Sequence, residues 1–346
     1  MGAAYGLLFG PEALAVRHGK DPQMIRGFAA KDGRLDAVAD ISQRFDGVVW
    51  IDLFNPTPEE EALIESRIAI DIPTRADMEE IEISSRLYYE EGDAFMTATV
   101  PAKSDTDDLQ MAPVTFVLTG ERLITIRYHD PRAFQTFTQR AQKVNLGCRN
   151  GEAVLVALLE AIVDRLADVL ERAQREIDGI SRSIFERPGA TPAKGQDMQK
   201  LLQDIGRKGD LTSNIRDSLF TIQRVAGFLA HLTTQQKSDR DVRARVKTLS
   251  RDASSLTEHS TSLSQKITFL LDATLGMINI QQNGIIKIFS VSAVVFLPPT
   301  LIASIYGMNF QFMPEFGWRL GYPLAIGIMV LSAVLPYLYF KHRGWL

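Results

Sequence analysis

Apolar residues are distributed unevenly along this chain, and that unevenness predicts its architecture. No charged side chain occurs from Ile288 to Pro314, and none from Leu320 to Phe340. Crossing ~30 Å of hydrocarbon takes roughly 20 helical residues, so each run can form a membrane span. A pair of buried core helices is the alternative, but two uncharged runs so close together are rare in soluble domains. Upstream the period changes. Val154, Leu158, Ile162, Leu166 and Leu170 form one helical face, with Glu160, Asp164, Asp168 and Glu171 on other faces. Pro188 to Pro192 interrupts, and a further helix is expected through His231. Between Ser238 and Pro298 there is no proline, and Leu249, Leu256, Leu263 and Leu270 recur every seven residues. Val246, Ala253, Ser260, Ile267 and Thr274 fill the intervening seam positions, a coiled-coil-like spacing with small and polar members. A packed seam is sufficient to explain it. A helix continuous from Ser238 to Ile305 would measure ~100 Å at 1.5 Å per residue. Only ~30 Å of that fits a bilayer, so the remainder would be a stalk.

The first 150 residues carry mixed signals. Val48-Val49-Trp50-Ile51-Asp52-Leu53 reads as a mostly buried strand closed by a turn at Asn55-Pro56. Pro58-Glu59-Glu60-Glu61 opens a helix, with proline and acids in its first turn. Val114 to Leu118 and Leu123 to Tyr128, joined at Gly120-Glu121, read as a hairpin. The resulting plan is an α/β domain (1–150), a helical region (151–237), a stalk helix (238–287), a first transmembrane helix (288–306), a loop (307–320), a second transmembrane helix (321–340) and a basic tail (341–346).

Composition adds orientation more than class. Net charge is -4, with 45% hydrophobic and 23% charged residues, averages that an ordinary soluble protein also shows. Cys148 is the only cysteine, which excludes an internal disulfide and suits a reducing compartment. The start, Met1 to Phe9, lacks a basic leader and runs into Pro11 and Glu12, so no signal peptide is expected. Lys287 precedes the first span, and Lys341, His342 and Arg343 follow the second, while the connecting loop holds only Glu315 and Arg319. The positive-inside rule then puts both termini in the cytoplasm. Two helices cannot enclose an aqueous path, so a pore would need several copies in closed cyclic symmetry.

The segment Phe296-Leu297-Pro298-Pro299-Thr300-Leu301-Ile302-Ala303-Ser304-Ile305-Tyr306-Gly307-Met308-Asn309-Phe310 resembles the signature of the CorA family of magnesium channels. Met313-Pro314-Glu315, Trp318, Gly321-Tyr322-Pro323 and the ending Tyr339 to Leu346 share the resemblance, and Trp50 to Thr57 is also typical of the proteobacterial type. The resemblance implies an α+β cytoplasmic domain, a long stalk helix continuous with the first of two C-terminal transmembrane helices, and a funnel-shaped homopentamer in the bacterial inner membrane. It implies Mg²⁺ as the transported and regulatory ion, with Co²⁺ and Ni²⁺ also admitted by many members. The expected partners are other copies of the chain, the bilayer and divalent cations, with no nucleic acid.

Carried onto this sequence, the selectivity filter would be Gly307, Met308 and Asn309. The pore-lining positions would be Asn283, Ile286, Phe289, Ala293, Leu297, Thr300 and Ser304, which recur every three or four residues and so share one helical stripe. Mg²⁺ gives up its water reluctantly. A ring of Asn309 amide carbonyls could grip the hydrated ion without the tight hold of carboxylates, and conduction needs binding weak enough to release. Glycine at 307 would let the backbone turn out of the helix near the axis. A helix C-cap is the plainer role for Asn309. Rings of Ile286, Phe289 and Leu297 could gate by dewetting, while lipid-facing or packing roles are the alternative. Pro298-Pro299 would remove helix hydrogen bonds and bend the helix. Lys287, Lys341 and Arg343 would form a basic collar or simply anchor the topology.

Intracellular Mg²⁺ closes channels of this family through acids on the α/β domain and stalk. The matching positions here are Glu79, Glu80, Asp252 and Asp272, although Thr248 stands where one branch has a stalk acid. Glu79 and Glu80 also suit a plain acidic surface helix. Two rival functions are a proton-coupled Zn²⁺ transporter of the ZntB type and a non-conducting membrane-anchored sensor. One cysteine and five histidines are poor material for a soft-metal site. An enzyme is not expected, since no nucleophile–base pairing, metal-ligand cluster or phosphate-binding Gly-x-x-x-x-Gly-Lys-Ser/Thr loop stands out.

Overall fold

In the computed structural model the described residues are 25–41, 45–106, 109–185, 195–309 and 313–344. The chain start, the Pro188–Pro192 interruption, Phe310 and the final Trp345-Leu346 lie outside them. The chain divides into two compact units, residues 1–175 with 210–264, and residues 176–209 with 265–346. Each is considered by itself.

The first unit is built on strands β1 (Ile25–Lys31), β2 (Arg34–Val38), β3 (Val48–Phe54), β4 (Leu87–Glu90), β5 (Asp93–Ala102), β6 (Gln110–Thr119) and β7 (Arg122–Arg127). They form one mixed sheet in the order β2-β1-β3-β7-β6-β5-β4, in which only β3 and β7 run parallel. The short helices are α1 (Pro58–Ile68), α2 (Arg75–Glu79), α3 (Ile83–Arg86) and α4 (Arg132–Lys143). α1 starts where the acidic first turn predicts. Thr57 and Glu60 close a reciprocal capping box there, with Glu60 N–H donating to Thr57 Oγ1 at 3.3 Å and Thr57 N–H to Glu60 Oε2 at 2.9 Å.

The two-residue period of the strands sorts side chains to opposite faces. Ile51, Leu53, Ile124 and Ile126 join Ile64 of α1 and Met78 of α2 in an aliphatic core. On the other face Trp50 stacks on Phe28 at 4.5 Å and meets Phe137 of α4 edge-on at 5.5 Å. Trp50 Nε1 donates to Thr125 Oγ1 at 3.1 Å, and the Thr125 hydroxyl donates to Asp52 Oδ1 at 2.9 Å. Arg127 donates to both Asp52 oxygens at 3.0 Å, and Arg26 adds a third donor at 2.6 Å. Asp52 is fully buried and Arg127 nearly so. A charge in such a place needs a partner of good geometry, and here the paired strands supply it.

Three long helices follow: α5 (Gly151–Phe185), α6 (Gly195–Gln235) and α7 (Arg240–Tyr306). The predicted α5 face is buried, with Val154, Leu158 and Leu166 at 0% exposure. In the first unit the α7 seam residues Val246, Leu249, Ala253, Ser260 and Leu263 are buried, and Leu256 is half-buried. Ser260 escapes an unsatisfied hydroxyl by donating to the Thr212 carbonyl on α6 at 3.0 Å. Burial pushes the Cys148 thiol up to about 11, so it sits neutral in the core.

In the second unit Ile267, Leu270 and Thr274 continue the buried seam. Lys266 pairs with Asp178, and Lys208 with Glu176. A short 3₁₀ turn, Pro314–Gly317, precedes α8 (Gly321–His342). α7 and α8 are each long and apolar enough to cross a membrane. Their apolar windows are 6% and 0% buried, which removes the alternative of buried core helices.

Candidate ion-conduction site

α7 stays helical through Pro298-Pro299, although proline removes the N–H donors that would reach the Val294 and Val295 carbonyls. Along this segment covered and uncovered positions alternate with the helical period. Val291 is buried, and Val295, Pro298, Ile302 and Tyr306 are partly covered. α8 shows the same pattern at Ala325, Met329, Ser332, Pro336 and Phe340. The stripe Asn283, Ile286, Phe289, Ala293, Leu297, Thr300 and Ser304 is exposed throughout. Phe289 keeps 71% of its surface and Leu297 65%, so the single chain gives this stripe no cover. The Thr300 hydroxyl is turned back to the Phe296 carbonyl at 2.7 Å.

The helix tightens as it ends. Gly307 N–H still bonds the Ala303 carbonyl at 3.0 Å, and Met308 N–H takes the Ile305 carbonyl at 3.2 Å. Gly307 is absent from the positive-φ glycines, so its use differs from the expected sharp turn. A β-carbon there would lie 3.2 Å from the Ala303 carbonyl oxygen, a tight approach that glycine avoids. Asn309 falls three residues beyond the last helical residue and is exposed. Its amide makes no hydrogen bond among the described residues, so it does not cap α7 there.

The sequence-selected acids are dispersed. Glu79 ion-pairs with Arg75 at 3.1 Å, one turn away, and Glu80 terminates α2. Asp272 is exposed on α7 in the second unit, where Lys287, Lys341 and Arg343 are also exposed. The Arg343 guanidinium sits 5.7 Å from the Tyr339 ring centroid. Asp252 is the acid that the fold brings into company. With Thr248 it lines a cavity of about 780 Å³ in the first unit, shared with Asp164 and Asp168 of α5. Burial and the neighbouring Glu160, Asp168 and Asp252 raise the Asp164 carboxyl above its ordinary range, against the opposing pull of Arg140. Among the described residues, no three His, Cys, Asp or Glu side chains lie close enough together to hold a metal ion directly. Sequence reasoning treats Asp164 and Asp168 only as a polar face. The signal that could have marked them is the i, i+4 repeat of acids at 160, 164 and 168, which is unfavourable on an isolated helix.

A sequence model described as CorA-like Mg²⁺ transporter protein matches residues 45–342. The magnesium transport protein CorA of Mannheimia succiniciproducens is 35% identical over 324 residues, covering 93% of this chain and 100% of the relative. The Escherichia coli protein of the same name gives the same identity and coverage. Among solved structures, the complete CorA magnesium transporter of Methanocaldococcus jannaschii matches with a TM-score of 0.74, at 19% identity, over 94% of this chain and 100% of that one. The full-length CmaX protein matches with a TM-score of 0.64 at 14% identity. Both structural likenesses speak to the fold. With an α/β sheet unit, two exposed apolar helices and a sequence match running from β3 to the end of α8, this chain belongs to the CorA family of Mg²⁺ transporters.

Proposed function

We propose that the chain conducts Mg²⁺ passively across the bacterial inner membrane as a homopentamer with both termini in the cytoplasm, Co²⁺ and Ni²⁺ being further substrates. The observation that carries this reading is the wholly exposed stripe from Asn283 to Ser304, ending at an Asn309 amide with no protein partner among the described residues. Apolar surface of that extent requires lipid or other protein to cover it, and copies around an axis would turn the stripe into a pore lining. Gly307, Met308 and Asn309 then form the outermost ring and hold the ion with its water in place. Ile286, Phe289 and Leu297 form apolar constrictions, and Lys287, Lys341 and Arg343 surround the inner mouth. A divalent ion entering through 100 mV gains roughly 4.6 kcal/mol, twice the value for a single charge, so no coupled energy source is needed.

Intracellular Mg²⁺ closes the pore through Glu79, Glu80, Asp252 and Asp272. Among the described residues these acids are not gathered into a direct metal site; in this reading neighbouring copies contribute carboxylates to each ion. The decisive measurement is Mg²⁺ flux into liposomes holding purified protein, with and without a proton gradient. Asn309→Ala is expected to cut flux at least about tenfold, the loss of an interaction of ~1.4 kcal/mol or more. Unchanged flux would sink the filter assignment, and flux that requires the proton gradient would favour a ZntB-type transporter.

A further inference from the structure

Two places in the first unit hold like charges that the chain does not neutralise, and their signs are opposite. The cationic one lies beside β5. β4 pairs with β5 only as far as Met96, so Thr99 has no strand partner on that edge among the described residues. α6 covers the edge with hydroxyls. Thr99 N–H donates to Thr221 Oγ1 at 3.0 Å, and Ser218 Oγ donates to the Thr99 carbonyl at 2.7 Å. Arg224 sits one helical turn beyond Thr221. Arg86 of α3 comes to the same spot, its Nη1 3.5 Å from Thr99 Oγ1. Burial and the Arg224 guanidinium nearby lower the Arg86 pKa below its ordinary value. Neither arginine makes an ion pair among the described residues. Arg86 Nε donates to the Glu80 carbonyl, and the Arg224 guanidinium lies 4.3 Å from the Phe220 ring centroid. These contacts hold the two groups in place without cancelling their charge. Phe220 keeps 48% of its surface, and Ile81, next to Glu80, keeps 88%. Arginine and aromatic side chains together are characteristic of protein–protein contacts.

The anionic place is on other helices. Asp164 and Asp168 of α5 and Asp252 of α7 are exposed and line one cavity with Arg140 of α4. Arg140 offsets Asp164. Asp168 and Asp252 are left without an ion pair among the described residues. None of Arg86, Phe220 and Arg224 lines that cavity. If the cationic patch met its own copy, arginine would face arginine, and such like-charge contacts oppose association. Contact between two different patches avoids that cost, and head-to-tail contacts of this kind close into rings. We propose that Arg86 and Arg224 of one copy, with Phe220 and Ile81 beside them, dock on Asp168 and Asp252 of the next copy. Guanidinium and carboxylate groups suit each other there through paired N–H donors. The contact rests on the homopentamer reading and adds to it which surfaces meet.

Crosslinking of the full-length protein in detergent with a short bismaleimide tests the contact, in chelator so that no metal ion bridges the copies. Cys148 is buried, so the wild-type protein is the unreactive control. Arg86→Cys combined with Asp168→Cys is expected to give a ladder of linked copies, and either substitution alone none. Dimers from Arg86→Cys alone would mean that like patches meet, which overturns the proposal. As a second measurement, Arg86→Asp should raise the dissociated fraction at least about tenfold at matched detergent, the scale of a lost charge-assisted contact. Adding Asp168→Arg should recover most of that loss. No effect of the first reversal, or no recovery with the second, also overturns it. The ladder does not depend on the charge-reversed variants folding. A wild-type protein that is monomeric in detergent removes the homopentamer reading and this contact with it. An assembled wild type whose double-cysteine variant gives no ladder removes the contact alone.

Discussion

In β3 six consecutive residues are buried, and in the Asn283–Ser304 stripe every residue is exposed, yet both segments are rich in apolar side chains. The sheet unit completes its own core. Trp50, Phe28, Phe134 and Phe137 close on one another, and even the charges of Asp52 and Arg127 find partners inside. The end of α7 completes nothing within the chain. Val291 on α7 and Ala325 on α8 are the buried points there, and the remaining apolar surface is left for lipid or for other copies. The difference teaches that burial within one chain records folding, whereas systematic exposure of an apolar stripe marks surface left for lipid or for other copies. Substitutions in the two regions should therefore fail differently.

The largest effect is expected at Asp52. Asp52→Ala removes the acceptor of Arg127 Nε and Nη2 and leaves the buried guanidinium only Asp130 and the His129 carbonyl, both on Nη1, a loss of about 3 kcal/mol. Tryptophan fluorescence during denaturant unfolding of the full chain would register it, and a midpoint near wild type would break the claim that this pair secures the sheet.

Next comes pH. His129 is buried, with Nε2 against the Val100 carbonyl at 2.7 Å and Nδ1 unpartnered among the described residues. Burial lowers its proton affinity below the ordinary 6.5, Val100 and Asp130 opposing and Arg127 reinforcing. The unfolded chain then binds the proton more readily, so stability falls as pH drops below 6.5, by at most ~1.4 kcal/mol per unit. Unfolding midpoints across that range should fall less steeply in His129→Gln, and parallel profiles would refute the assignment.

Thr57→Ala opens the capping box and should cost about 1 kcal/mol, measurable by the same unfolding assay. An effect well below that would mean that α1 is held by Ile64 packing alone.

The smallest stability change belongs to the exposed stripe. Phe289→Ala should shift unfolding of the sheet unit by less than about 0.5 kcal/mol while altering Mg²⁺ flux in liposomes. A large loss of stability with normal flux would reverse the contrast between the two regions.

Much of this was legible in one dimension. The uncharged runs marked both spans, the acidic turn after Thr57 marked α1, and the hairpin of β6 and β7 followed from two apolar runs joined at Gly120-Glu121. The seven-residue repeat in α7 corresponds to a seam packed by the chain's own helices, Leu256 being only half-buried. Less legible was Asp52. In the sequence it is an acid inside a buried strand, and its partner Arg127 lies 75 residues away. Gly307 also needed coordinates, because its constraint is a carbonyl 3.2 Å from a missing β-carbon and not a left-handed turn.

The sequence by itself determined the membrane spans, the long helix and the Gly307-Met308-Asn309 motif, because run length and periodicity are properties of neighbouring residues. Only the tertiary structure decided which charges meet. Arg140 on α4, Asp164 on α5 and Asp252 on α7 come together because α4 lays Phe134 and Phe137 against Trp50 and because α5 and α7 bury their apolar faces in the same unit. Electrostatic interaction depends on distance through space, and hydrophobic packing of distant segments sets that distance.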